Sequence, residues 1–290
     1  MNPQRRSRVM FRLKHLIEEN AQELAELLSS EHGKVVADSH GDIQRGLEVV
    51  EFACGIPHLS KGEYTNAAGP GIDVYSMRQS LGVCAGITPF NFPAMIPMWM
   101  FSVSIAMGNT FILKPSEKDP SVPVRLAELF LEAGGPEGVL NVVHGDKEAV
   151  DGILAAPEIR AVSFVGSSDI AHYVYMNGTA HGKRMQCMGG AKNHGVIMPD
   201  ANMEQAVKDI VGAAYGSAGE RCMALPVAVT VGKKTGDEFV ERMTDAAKSL
   251  KVGVSTDPDA HYGPVVSEVH KNKVESMIQL GVDEGADLVL

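Results

Sequence analysis

From Val9 to Leu28 the apolar residues fall at Val9, Leu13, Leu16, Ile17, Leu24, Leu27 and Leu28. This three-and-four spacing draws one stripe along a helix and predicts a single helix that stops near Gly33. A second helical pattern follows at Ile43, Leu47, Val50 and Cys54, with Arg45 two positions off its stripe and so directed elsewhere. Gly69-Pro70-Gly71 then marks a turn between two short extended runs, Glu63 to Asn66 and Asp73 to Arg78. That piece reads as a hairpin standing apart.

At Leu81 the period changes. Short apolar runs now alternate with helical patterns, which predicts an α/β fold, a doubly wound parallel sheet covered on both faces. The strands fall at 81–87, 110–113, 139–143, 161–165, 184–188, 195–198 and 227–231. Helices fall at 93–107, 120–133, 147–154, 170–178, 203–215, 237–250 and 268–280, and Ala286 to Leu290 reads as the beginning of one more strand. No strand is followed by GxGxxG, so a nucleotide held by this sheet must use other contacts.

Composition narrows the class of protein more than it names a task. The chain has 290 residues, 44% hydrophobic and 21% charged, which is a globular profile with room for one large or two modest domains. Its formal charge of -10 is interspersed rather than blocked, so no basic patch offers itself to nucleic acid or to a membrane surface. Cys54, Cys84, Cys187 and Cys222 lie far apart without CxxC or Cys/His ligand spacing, which argues against a disulfide framework or a zinc site and fits a reducing compartment. No apolar run approaches the roughly 18 residues of a membrane span, and the first residues lead into an amphipathic helix rather than a secretory signal.

Four places carry candidate chemistry. Gly216-Ser217-Ala218-Gly219-Glu220-Arg221-Cys222 sets a cysteine in a small-residue turn beside a cation, where a thiolate could be both exposed and stabilised, so Cys222 is the candidate nucleophile, or else a small buried hydrophobe. Asn91, in Thr88-Pro-Phe-Asn-Phe-Pro93, follows the first strand at the edge where open parallel sheets bind ligands, and its amide is a candidate oxyanion donor or a turn cap. Lys114-Pro-Ser-Glu117 follows the next strand and offers an ammonium and a carboxylate for ribose hydroxyls, or a solvated loop. Gly166-Ser167 ends another strand and would expose helix N-terminal amides to a phosphate, or is an ordinary helix cap.

Five motifs in order make the chain resemble the aldehyde dehydrogenase superfamily. They are Thr88-Pro-Phe-Asn-Phe-Pro93, Lys114-Pro-Ser-Glu117, Phe164-Val-Gly-Ser167, Met188-Gly-Gly-Ala-Lys-Asn-His194 and Gly219-Glu-Arg-Cys-Met-Ala224. More narrowly the chain is similar to the branch that oxidises malonate and methylmalonate semialdehydes and acylates CoA, over essentially its whole length. The resemblance implies a Rossmann-like NAD domain at 1–63 and 79–193, an oligomerisation hairpin at 64–78 and the start of an α/β catalytic domain at 194–290. It implies Cys222 as nucleophile, with Asn91 and the Cys222 amide as oxyanion hole. Lys114 and Glu117 would hold the adenosine ribose, Ser167 would lie at the pyrophosphate, and Thr88, Phe90, Lys118 and Gly190 would complete the NAD contacts. Arg221 and Arg45 are candidates for the substrate carboxylate, since guanidinium geometry suits one; a surface or structural ion pair is the other reading of both.

The superfamily's hydrolytic members carry Glu-Leu-Gly-Gly-Lys, whose Glu activates water, whereas Cys187 stands at that position here, 35 residues before Cys222. Without that base, water attack on a thioacyl enzyme is slow, and the CoA thiol becomes the expected acceptor after hydride transfer to NAD and loss of CO2. A non-acylating dehydrogenase and an inactive NAD-binding fragment are the alternatives. The family's length implies that part of the N-terminal region and the later Glu-x-Phe-Gly-Pro segment lie outside this chain. It also implies a homo-oligomer, dimer or tetramer, in the cytoplasm of a bacterium or the mitochondrial matrix of a eukaryote.

Overall fold

A computed structural model describes residues 1–290. The chain divides into two compact units, residues 1–27 with 40–189, and residues 28–39 with 190–290. That a dozen residues near the start group with the second unit is announced by nothing in their sequence.

The N-terminal stripe belongs to two helices rather than one, α1 (Pro3–Glu19) and α2 (Ala21–His32). Asn20 makes the break: it caps α1, its backbone N–H and its side-chain amide both donating to the Leu16 carbonyl. A break of one residue preserves the apolar spacing, which is why periodicity alone runs straight through it. Helix α3 (Val36–Cys54) and the short α4 (Ile56–Leu59) follow, then the hairpin of β1 (Tyr64–Gly69) and β2 (Ile72–Tyr75). The hairpin strands pair antiparallel, and Tyr64, Ile72, Val74 and Tyr75 are all exposed.

The rest of the first unit is a parallel sheet with its crossover helices. In chain order these are β3 (Val83–Ile87), α5 (Met95–Ala106), β4 (Thr110–Lys114), α6 (Ser121–Glu132), β5 (Leu140–Val142), α7 (Lys147–Ala155), β6 (Ile159–Val165), α8 (Ser168–Ala180) and β7 (Arg184–Met188). The strand order β5-β4-β3-β6-β7, parallel throughout, is the doubly wound order expected. After β3 and β4 the chain moves one way along the sheet; after β5 it crosses back and moves the other way. With right-handed crossovers this puts α5 and α6 on one face and α7 and α8 on the other. Beneath the second pair, Ala85, Ile87, Val162, Phe164, Ile153 and Val174 form one buried cluster. Helix α5 starts at Met95, two residues beyond the expected Pro93, because the Asp42 carboxylate of α3 accepts the Met95 N–H at 2.7 Å and supplies the cap that Ala94 lacks.

The second unit holds β8 (His194–Ile197), α9 (Met203–Tyr215), β9 (Val227–Thr230), α10 (Lys233–Lys248) and α11 (Glu268–Asp283). Strands β8 and β9 pair in parallel, and Ile197, Val207, Ile210 and Phe239 form a small core beneath them. Residues 286–290 form no strand. An apolar run becomes a strand only when a neighbour takes its backbone hydrogen bonds, and none does so here.

Candidate active site

The direction in which the chain steps across the sheet reverses between β3 and β6, and open parallel sheets receive ligands beyond the C-terminal ends of the strands at such a point. Thr88, Phe90 and Asn91 follow β3, Lys114 ends β4 with Glu117 and Lys118 just beyond it, and Ser167 follows β6, so the topology gathers most of the expected cofactor residues along one edge. Thr88 is buried and its N–H donates to the Lys114 carbonyl at 3.1 Å, which ties the ends of β3 and β4 together. The Lys118 ammonium lies 4.9 Å from the centre of the Phe90 ring, a cation–π contact that joins two residues singled out separately.

Lys114 is only 4% exposed, and its ammonium sits 3.3 Å from the Glu117 carboxylate, which is open to solvent. Burial pushes the Glu117 carboxyl up, but its backbone hydrogen bond and the Lys114 ammonium outweigh that, and the net direction is down. A fixed ammonium paired to an ionised carboxylate presents a donor and an acceptor together, which is what vicinal hydroxyls require. Ser167 is exposed and occupies the N-cap position of α8 yet makes no side-chain capping bond, so its hydroxyl is not spent on the helix. The donor set therefore fits a dinucleotide: hydroxyl partners after β4, phosphate partners after β6. Gly166, between β6 and α8, admits no side chain, because a Cβ would stand 2.5 Å from the Phe164 ring.

In the second unit Cys222 is exposed, whereas Cys54 and Cys84 are buried and Cys187 is half-buried. Cys222 follows a turn whose residues Ser217 (φ 51°), Ala218 (φ 53°) and Gly219 (φ 76°) are all left-handed. For Ser217 and Ala218 this costs about 1–2 kcal/mol each and persists only where the surroundings impose it. Three side chains impose it. Asp38 accepts the Ser217 N–H at 3.0 Å and the Arg221 guanidinium at 2.5 Å. Asn193 donates to the carbonyls of Cys222 at 3.0 Å and Ala224 at 2.8 Å, bracketing the cysteine. Glu220, its side chain 3% exposed, accepts the Val266 N–H at 3.1 Å and lies 3.5 Å from His270 and 3.9 Å from His32. Burial, then the neighbouring Lys34 ammonium, pushes His32 down to about 3, so its imidazole is neutral near pH 7 and the separation from Glu220 is not an ion pair.

The aldehyde dehydrogenase family model matches residues 1–290. The chain belongs to the aldehyde dehydrogenase family. It is 54% identical over 288 residues to a malonate-semialdehyde dehydrogenase of Pseudomonas aeruginosa, covering 99% of this chain and 58% of that one. It is 53% identical over 287 residues to the mitochondrial acylating methylmalonate-semialdehyde dehydrogenase of Arabidopsis thaliana, covering 98% of this chain and 47% of that one. The crystal structure of a methylmalonate-semialdehyde dehydrogenase from Oceanimonas doudoroffii superposes with a TM-score of 0.98 at 54% identity, covering 100% of this chain and 59% of that one. A Sinorhizobium meliloti 1021 protein assigned to the same activity and complexed with NAD also gives 0.98, at 59% identity and the same coverage. The chain thus spans roughly half to three-fifths of the length of these relatives.

Within this aldehyde dehydrogenase chain the remaining expected residues fall as follows. Arg45 lies exposed on α3 with its guanidinium 3.0 Å from Glu48 of the same helix. Arg221 is engaged by Asp38 and by the Gly212 carbonyl at 3.4 Å. Cys187 and Met188 end β7, neither of them a carboxylate, and Gly190 is exposed just beyond. The sequence reading passed over Asp38, and it quoted Asn193 without a role. The one signal for Asn193 was its place inside the Met188-to-His194 motif.

Proposed function

We propose that this chain is part of an enzyme that oxidises malonate or methylmalonate semialdehyde with NAD, releases CO2 and transfers the acyl group to CoA. Cys222 attacks the aldehyde carbon and holds the product as a thiohemiacetal, whose oxyanion Asn91 and the Cys222 N–H stabilise. NAD, when bound, supplies the acceptor for the aldehyde hydride. The residues that would hold it are Thr88, Phe90, Lys114, Glu117, Lys118, Ser167 and Gly190.

Loss of hydride leaves the acyl group on the Cys222 sulfur as a thioester. Its carbonyl lies β to the substrate carboxylate and takes up the electron pair when the bond to CO2 breaks; a proton then replaces CO2. The CoA thiol attacks the thioester carbonyl and the Cys222 thiolate leaves. Arg45 and Arg221 are the guanidinium candidates for holding the carboxylate before it departs. The single observation that carries the acylating reading is the end of β7, where Cys187 and Met188 provide no carboxylate to activate water. The names of relatives at 53–54% identity support it. The exposed hairpin of β1 and β2 fits an intersubunit contact in a homo-oligomer, and relatives from bacteria and from mitochondria fit either a cytoplasmic or a matrix setting. No helix is long and apolar enough to cross a membrane.

The test is NADH formation from methylmalonate semialdehyde with and without CoA, beside Cys222→Ala. CoA-dependent turnover that falls to background in the variant is the expected result. Equal rates with and without CoA, with free acid as product, would overturn the acylating reading.

A further inference from the structure

We infer that Asp38 is a positioning residue for Cys222, its single carboxylate clasping the nucleophile turn at both ends. The significance of the clasp rests on Cys222 being the nucleophile; its existence does not.

Ser217 and Arg221 stand four residues apart, and between them the backbone runs through three left-handed positions that relax unless held. Asp38, in the first turn of α3, accepts the Ser217 amide at 3.0 Å with one carboxylate oxygen and the Arg221 guanidinium at 2.5 Å with the other. The Asp38 and Arg221 side chains are 21% and 24% exposed, so solvent screens this contact less than an open surface pair. Gly216 completes the arrangement: a Cβ there would stand 2.5 Å from the guanidinium carbon, so the turn closes around Arg221 only because position 216 carries no side chain. The Gly212 carbonyl takes a further guanidinium hydrogen at 3.4 Å. The result is an arginine next to the nucleophile whose orientation is fixed and whose charge is partly balanced before any carboxylate arrives. Asp38 therefore sets two properties of the site, the shape of the turn and the charge felt beside Cys222.

Those two properties separate by experiment. In the 290-residue chain Cys222 is the exposed thiol, and its alkylation is followed by peptide mass mapping with a neutral reagent, iodoacetamide, and an anionic one, iodoacetate. Hydrogen exchange of the 216–224 peptide reports the turn. Asp38→Asn keeps an oxygen for the Ser217 amide and removes the charge, so the iodoacetate-to-iodoacetamide rate ratio should rise about three- to tenfold with the turn still protected. Asp38→Ala should raise the ratio similarly and speed exchange of the turn by about tenfold or more. Adding Arg221→Gln to Asp38→Ala should bring the ratio back to the parent value while exchange stays fast, a rescue that general loosening does not produce. An unchanged ratio in both Asp38 variants, or exchange that rises equally across α9 and α10, overturns the clasp. If Cys222→Ala instead leaves CoA-dependent turnover intact, the assignment of the nucleophile fails while the clasp, read from exchange and labelling, stands.

Discussion

The sheet edge and the nucleophile turn are built on different principles. Along the edge each chemical residue lies within a few positions of a strand end, and parallel pairing fixes where it goes: Thr88 and Lys114 are tied by one backbone hydrogen bond, and Ser167 stands at the N-cap position of the helix that follows β6. The turn before Cys222 has no such frame. It sits in left-handed backbone and is held by side chains from elsewhere in the chain, Asp38 and Asn193 above all. A sheet edge tolerates the loss of one contact because its neighbours share the register, whereas a clasped turn depends on each clasp.

The largest expected effect comes from acid. His32 has a folded pKa of about 3 against 6.5 for the ordinary side chain. On acidification the unfolded chain therefore takes up the proton first. The stability given by burying neutral His32 is full above about pH 6.5 and lost as pH falls towards 3, with a slope of about 1.4 kcal/mol per pH unit. Cleavage of the turn by pepsin, which works in acid, should rise in this window before the fluorescence of Trp99, the sole tryptophan, changes in the first unit. Simultaneous change of both signals would remove the distinction between the two regions. Asn193→Ala comes next, since it strips two carbonyls of their donor. It should cost about 1–3 kcal/mol in chemical denaturation, concentrated in the turn, and change Cys222 alkylation several-fold. The smallest effect belongs to Ser167→Ala. A side chain that makes no capping bond leaves stability within about 0.5 kcal/mol, while NAD affinity, measured by titration, should weaken if its hydroxyl meets the pyrophosphate.

The same contrast explains what could be read from the sequence. β7 and α9 stand where periodicity puts them, at Arg184–Met188 and Met203–Tyr215, because each is a local pattern with one apolar face. The placement of Ser167 and Lys114 at strand ends was legible because a strand end is itself a local signal. The break at Asn20 was invisible because it leaves the apolar stripe in phase, and the strand expected at 286–290 failed because pairing is not a local property. Asp38 was illegible for a stronger reason: its partners are 179 and 183 residues away, and an aspartate in the first turn of a helix is fully accounted for by the helix dipole. Nothing in the sequence nearby asks for a second explanation.

The reach of Asp38 also orders events at the ribosome. A chain grows at about 5–20 residues per second, so the 183 residues separating Asp38 from Arg221 take about 10–40 s to be made. Throughout that interval the Asp38 carboxylate has no turn to grip. β3 to β7 lie wholly within the stretch made in between, so the sheet has every strand it needs before Cys222 is synthesised. The turn before Cys222 is thus made after the carboxylate that clasps it and after the whole of the parallel sheet.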